Sequence, residues 1–197
     1  MSAEFVKFYQ AILSDDQKPF AELKTSDAYL LLKETIPRNG GTLLHVAAKL
    51  KRKNITKTII NLQPSFLFVT NIKGETPLHI AATVGSQDVT RLIIDWCDHN
   101  ETVENGERIL RKKTQKEEET ALHRAVRNGH VEVVKLLINK DSELAKLENK
   151  EGDSPLFMAI EAKHFEIARI ILTVSNCSFR GRKNMNALHA AIARQLS

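Results

Sequence analysis

The sequence predicts an all-α solenoid, a row of stacked helix-turn-helix units joined by β-hairpin-like loops. Three observations predict it. One short phrase recurs five times along the chain, the copies lie at a nearly constant interval, and a second apolar segment follows several of them. A unit of this size cannot bury its apolar face alone, so it must stack on its neighbours.

The first copy reads Thr42-Leu43-Leu44-His45-Val46-Ala47-Ala48, and the second Thr76-Pro77-Leu78-His79-Ile80-Ala81-Ala82. Thr120-Ala121-Leu122-His123-Arg124-Ala125-Val126 is the third. Ser154-Pro155-Leu156-Phe157-Met158-Ala159-Ile160 and Asn186-Ala187-Leu188-His189-Ala190-Ala191-Ile192 complete the set. Measured at the His or Phe position, the spacings are 34, 44, 34 and 32 residues. The long interval implies an insertion, placed within Cys97–Lys113, and not a broken repeat.

Each position has a physical reason. Thr42, Thr76, Thr120 and Ser154 stand where a helix begins, and their hydroxyls can cap orphan backbone N–H groups. Pro77 and Pro155 occupy the first helical position, where the missing N–H costs nothing. Leu44, Leu78, Leu122, Leu156 and Leu188 are expected to pack between neighbouring repeats. Ala47, Ala81, Ala125, Ala159 and Ala191 are small enough to let two helices approach closely.

The phrase resembles the T-P-L-H-x-A signature of ankyrin repeats, whose period is about 33 residues. The likeness extends further. Gly85 and Gly129 follow the His by six residues, where that family ends its first helix. Gly74 and Gly152 precede the Thr or Ser by two, where it places a β-turn. Second helices are expected at Gln87–Ile94, Val131–Ile138 and Phe165–Leu172. Lys51 and Lys163 replace the helix-ending glycine, Glu118 and Asn184 the turn glycine, and Phe157 the histidine, so those turns are expected to be less regular.

The division expected is a degenerate N-terminal capping repeat over 1–36, then repeats over 37–70, 71–97, 115–148 and 149–180. An inserted surface loop fills 98–114, and an incomplete repeat 181–197. In the capping repeat Tyr9 falls in the histidine register, and Pro19-Phe20-Ala21-Glu22-Leu23 opens the second helix. No second helix follows the fifth copy before Ser197. The array is therefore expected to be incomplete, with residues from about Lys183 fraying or joining another chain.

Other function classes find little support. Net charge is +5, with 29 basic residues interspersed with 24 acidic ones. Basic runs are short and aromatics only 6%, so no nucleic-acid surface is expected. Cys97 and Cys177 form no CxxC pair, and the N-terminus lacks a secretory pattern, so both read as reduced thiols of a cytoplasmic protein. No stretch reaches the roughly 18 apolar residues of a membrane span. His45, His79, His123 and His189 recur one repeat apart, too far for shared metal ligation, so they read as structural. His99, His130 and His164 read as surface residues. No catalytic motif is present, so neither an enzyme nor a cofactor is expected.

What the resemblance implies is protein binding. Ankyrin partners contact the hairpin tips and the exposed face of the first helices. Carried onto this chain, the tips are Arg38, Ile72, Lys73, Glu75, Lys116, Glu117, Glu119, Lys150, Glu151 and Asp153. The helix-face positions are Leu50, Thr83, Val84, Arg127 and Asn128. Ile72, Leu50 and Val84 are apolar groups at positions expected to be exposed, and so candidate anchors.

A narrower likeness lies in Thr120–Arg127, Val133–Leu137, Ser154–Ala159 and Asn186–Ala191. Their wording is similar to plant ankyrin membrane proteins of the accelerated-cell-death type. Those carry further repeats, a Pro-Gly-Gly domain and membrane helices, and act in defence signalling. The resemblance implies the cytosolic part of such a protein, with membrane association supplied by a region not in this chain. The alternatives are a free-standing adaptor in transcription or ubiquitination, and the regulatory array of an enzyme whose catalytic domain lies elsewhere.

Overall fold

The computed structural model describes residues 2–23, 34–99, 109–183 and 185–195, the side chains of 193–195 apart. First helices run Leu43–Lys49, Pro77–Thr83, Ala121–Arg127, Pro155–Glu161 and Ala187–Gln195. Each begins one residue after the Thr, Ser or Asn that opens the repeated phrase. Second helices run Lys53–Leu62, Gln87–His99, Val131–Lys140 and Phe165–Leu172. First helices pack on first helices and second on second. At the N-terminal end Ala3–Ser14 and Lys18–Ala21 join the same two rows. Among the described residues the only β-type pairing is an isolated bridge between Arg180 and Asn186, so the stack is all-α.

The core follows the repeat. Leu44, Leu78, Leu122 and Leu156 are fully buried, as are Ala47, Ala81, Ala125 and Ala159. In the N-terminal pair Phe5, Phe8, Ile12 and Phe20 are buried, and the Phe8 and Phe20 rings meet edge to face at 4.9 Å. The fifth copy differs. Ala187 and Ala190 are buried, but Leu188 is 64% exposed and Ile192 49%.

Three of the turns expected to be irregular are regular. Lys51 and Lys163 have φ of 59°, beside 67° and 72° at Gly85 and Gly129. Glu118, at 53°, repeats the turn that Gly74 and Gly152 make. A side chain in this left-handed region costs about 1–2 kcal/mol, which the packing of a whole repeat outweighs. Asn184 lies outside the described residues. At Gly85 glycine is needed on two grounds, since a Cβ there would also stand 2.4 Å from the His130 ring.

His130 therefore is not a free surface residue. It is half-buried, with Nε2 3.0 Å from the Thr83 carbonyl in the preceding repeat. His164 sits likewise half-buried beneath Gly129, whereas His99 is exposed. The insertion also differs from a plain loop. The second helix before it continues to His99, carrying the fully buried Cys97. At its far end Ile109 and Leu110 are helical and buried, and Arg111 grips Asp141 through two bonds of 2.7 and 3.0 Å. A helical extension buries apolar side chains that a surface loop would leave in water.

Histidines fix one repeat to the next. The Thr42 N–H donates to His45 Nδ1 at 3.1 Å, and the Thr42 hydroxyl lies 2.9 Å from the same nitrogen. Thr76 and His79 repeat this at 3.2 and 2.8 Å, and so do Thr120 and His123. Because Nδ1 accepts, the ring proton sits on Nε2. His45 Nε2 then donates to the Glu75 carbonyl at 2.9 Å, and His79 Nε2 to the Glu119 carbonyl at 3.1 Å. The Asp153 backbone stands in the equivalent place for His123, but among the described residues that Nε2 makes no bond of standard geometry. His189 keeps a half of the device at the exposed fifth copy, where the Asn186 N–H donates to Nδ1 at 3.3 Å.

Replacing Leu78 by Ala is expected to lower stability by about 2–5 kcal/mol, the usual loss for a buried leucine, measured by urea unfolding.

Acid is expected to weaken the stack through its histidines. Burial lowers the pKa of His45, pushes His79 down to about 4 and His123 to about 3. An unfolded histidine takes up its proton near pH 6.5, but these folded ones do not, so protons favour the unfolded chain. Their stabilisation is full above about pH 6.5 and falls as pH drops toward 4, by about 3 kcal/mol for His79 alone. The urea midpoint should therefore decline steadily from pH 7 to pH 5; a flat profile there would contradict the neutral relay.

Candidate functional site

The loops between repeats form a row of tips. Two of the tips are built on an asparagine side chain that accepts two backbone N–H groups. Asn71 Oδ1 accepts from Lys73 and Glu75, and Asn149 Oδ1 from Glu151 and Asp153. Successive tips are tied by single backbone bonds, from Ile72 N–H to Asn39, Gln115 N–H to Lys73, and Lys150 N–H to Glu117. The row is thus a fixed surface, not a set of independent loops.

Beside the tips the first helices leave a cleft of about 430 Å³. Five of the residues expected to bind a partner line it together: Leu50, Lys73, Glu75, Thr83 and Val84. Its walls also include residues that sequence reasoning passed over, namely Tyr9, Leu13, Ile36, Val46 and Ile80. Val46 and Ile80 follow the histidine of their repeats, the variable slot of the repeated phrase. Tyr9 and Leu13 come from the N-terminal helix. Ile72 stands outside the cleft on the row of tips, 64% exposed, with its Cγ2 3.0 Å from where a Cβ on Gly40 would be. Arg38, Lys116 and Lys150 are exposed on the same row.

Three of the expected tip residues, Glu75, Glu119 and Asp153, are buried, Glu119 completely. They share one register, immediately before the helix-opening Thr or Ser, and each carboxylate turns inward to a cation. Arg124 Nε lies 3.1 Å from Glu119, and its Nη2 lies 3.5 Å from Glu75 and 3.4 Å from Glu117. Arg127 also binds Glu119. Arg182 Nη2 lies 3.2 Å from Asp153, while the Arg182 N–H donates to the same carboxylate at 2.7 Å. Burial raises the Asp153 pKa, against the pull of these Arg182 contacts. The exposed Glu151 pairs with Arg182 at 3.3 Å, and Asn128 bonds the Arg124 carbonyl at 2.8 Å.

Phe157 takes the histidine place in the fourth repeat and works differently. It is fully buried, Arg182 lies over its ring at 5.8 Å, and a Cβ on Gly181 would meet the ring at 2.2 Å. The glycine lets the chain pass over a ring that cannot donate a hydrogen bond.

A second cleft, of about 390 Å³, lies on the other side, between the second helices Lys53–Leu62 and Gln87–His99. The chain's single tryptophan, Trp96, lines it and meets Phe68 edge to face at 6.4 Å. Among the described residues no group of three or more His, Cys, Asp or Glu could hold a metal ion. None of the described helices is long and apolar enough to cross a membrane.

Stacked helix pairs, a buried histidine relay and an open cleft of mixed apolar and polar lining define an interaction scaffold. A family model for ankyrin repeats (three copies) matches residues 21–105 and 99–180, and the chain belongs to the ankyrin-repeat family. It is a protein–protein interaction module. Among known proteins it is similar to Protein ACCELERATED CELL DEATH 6 of Arabidopsis thaliana, 30% identical over 144 residues, which is 70% of this chain and 21% of that protein. It also resembles an ankyrin repeat protein of Acanthamoeba polyphaga mimivirus, 26% identical over 82 residues, 39% of this chain and 11% of the relative. The chain therefore spans about a fifth or less of the length of these relatives.

Arg124→Ala is expected to cost about 3 kcal/mol, because it strips the buried Glu119 carboxylate of a partner. Adding Glu119→Gln should restore part of the loss in urea unfolding, since a neutral amide is less costly to bury unpaired.

Proposed function

We propose that the chain recruits a protein partner into the cleft beside the N-terminal first helices. We place it as the ankyrin part of a signalling protein of the accelerated-cell-death kind, on the cytosolic side of a membrane. The observation that carries the docking site is the cleft itself, where Leu13 is 48% exposed beside half-buried Tyr9, Leu50 and Val84. Apolar side chains converging in a concavity give a partner area to bury, which polar tips do not. Elsewhere on the row the buried carboxylates Glu119 and Asp153 are already held by Arg124, Arg127 and Arg182. The signalling role rests on the 30% identity to the Arabidopsis protein over 70% of this chain.

Proximity labelling in plant cells tests both parts. The double substitution Leu50→Asp and Val84→Asp is expected to deplete a set of labelled proteins by about tenfold or more. The melting temperature should move by no more than about 5 °C, since neither residue is fully buried. Unchanged labelling would overturn the docking site. A wild-type set confined to transcription or ubiquitination machinery would overturn the signalling role.

A further inference from the structure

The cleft has a charge pattern of its own. Lys49 and Lys73 line it, and both are exposed. Among the described residues neither has a carboxylate partner, whereas Lys53, Lys135 and Lys146 each meet one within 3.2 Å. Among the described residues Glu75 is the one carboxylate lining the cleft, and it is already engaged. Its Oε2 accepts from Asn71 Nδ2 at 2.8 Å, and its Oε1 lies 3.5 Å from Arg124. His45, also in the lining, is buried and held neutral by that burial. Among the described residues the free charge of the cleft is thus two cations, Lys49 on the first helix and Lys73 on a tip, in a lining that also includes apolar Val46 and Ile80.

We propose that the occupant of this cleft is an acidic segment of a partner protein carrying a large apolar side chain, the apolar group seated against Val46 and Ile80 and flanking Asp or Glu carboxylates paired with Lys49 and Lys73. This rests on the cleft being the docking site. The physical argument is complementarity. A basic segment would bring like charges together at both lysines, and a neutral one would cover them without pairing, each at a loss of affinity. The far end of the same face supplies the contrast. The groove of about 290 Å³ near Met158 is lined by Arg127 and Arg182 with Glu151, Asp153 and Glu161. There cations and carboxylates alternate, and Arg182 already serves both Glu151 and Asp153. Of these two concavities, the N-terminal cleft is the one whose described lining leaves positive charge unbalanced.

The test is selection of short random peptides on the full chain, followed by affinity measurements on the enriched sequences. The expected result is enrichment of peptides with Leu, Ile, Phe or Met among Asp and Glu. Their affinity should fall roughly tenfold in the double variant Lys49→Gln and Lys73→Gln, and again as salt rises to about 0.5 M. Both substitutions are at exposed sites, so an unchanged melting temperature accompanies the expected loss. Peptides that are neutral or basic, bind wild type and the lysine variant equally, and are lost in Val84→Asp would overturn the acidic partner while leaving the docking site standing. Peptides whose binding survives Val84→Asp would overturn the docking site and this proposal together. Failure to enrich any peptide would overturn a linear acidic segment as the occupant.

Discussion

The stack depends on a buried histidine that serves two repeats at once. Burial of leucine and alanine drives the helices together, but that force has no direction and would tolerate many registers. The relay from Thr76 through His79 to the Glu119 carbonyl does have one. A neutral imidazole offers one acceptor and one donor on opposite sides of a rigid ring. Nδ1 is committed to its own helix start, so Nε2–H points at the loop of the next repeat. In a dry interior each of these groups would be costly to leave unpaired, so the arrangement is selected against its alternatives.

The same constraint shapes the surface. The carbonyls of Glu75 and Glu119 must face the histidine, so their residues are drawn inward with their side chains. Their carboxylates then need cations, supplied by Arg124 and Arg127, as Arg182 supplies one to Asp153. The residue after the histidine decides the outcome locally. Arg124 makes its stretch a closed ionic network, whereas Val46 and Ile80 leave an open cleft with apolar side chains in its lining. Where Phe157 replaces the histidine, a ring without a donor is covered by Gly181 and Arg182 instead.

Much of this was legible in the sequence because it rests on local patterns. Helix starts are marked by Thr or Ser, the first position by proline, and the buried stripe by Leu and Ala at fixed offsets. The burial of Glu75, Glu119 and Asp153 was not legible. Acidic residues in a turn are ordinarily solvated, and the cations that hold Glu75 and Asp153 lie 49 and 29 residues further along the chain. The regular geometry at Lys51, Lys163 and Glu118 was hidden for a related reason. A left-handed lysine is unfavourable taken alone and is held only by packing across the repeat.

The amino-acid sequence by itself determined the repeat, its helices, the histidine ladder and membership of a family that binds proteins, since these follow from periodicity and short-range chemistry. Tertiary structure alone decided which exposed-looking residues are exposed, that Ile109 and Leu110 of the insertion are buried, and that Tyr9, Leu13, Val46 and Ile80 share one cleft with Leu50 and Val84. Those properties depend on which side chains meet across repeats tens of residues apart. That meeting is set by stacking geometry and by the pairing of buried charge, neither of which is written in any one segment of the chain.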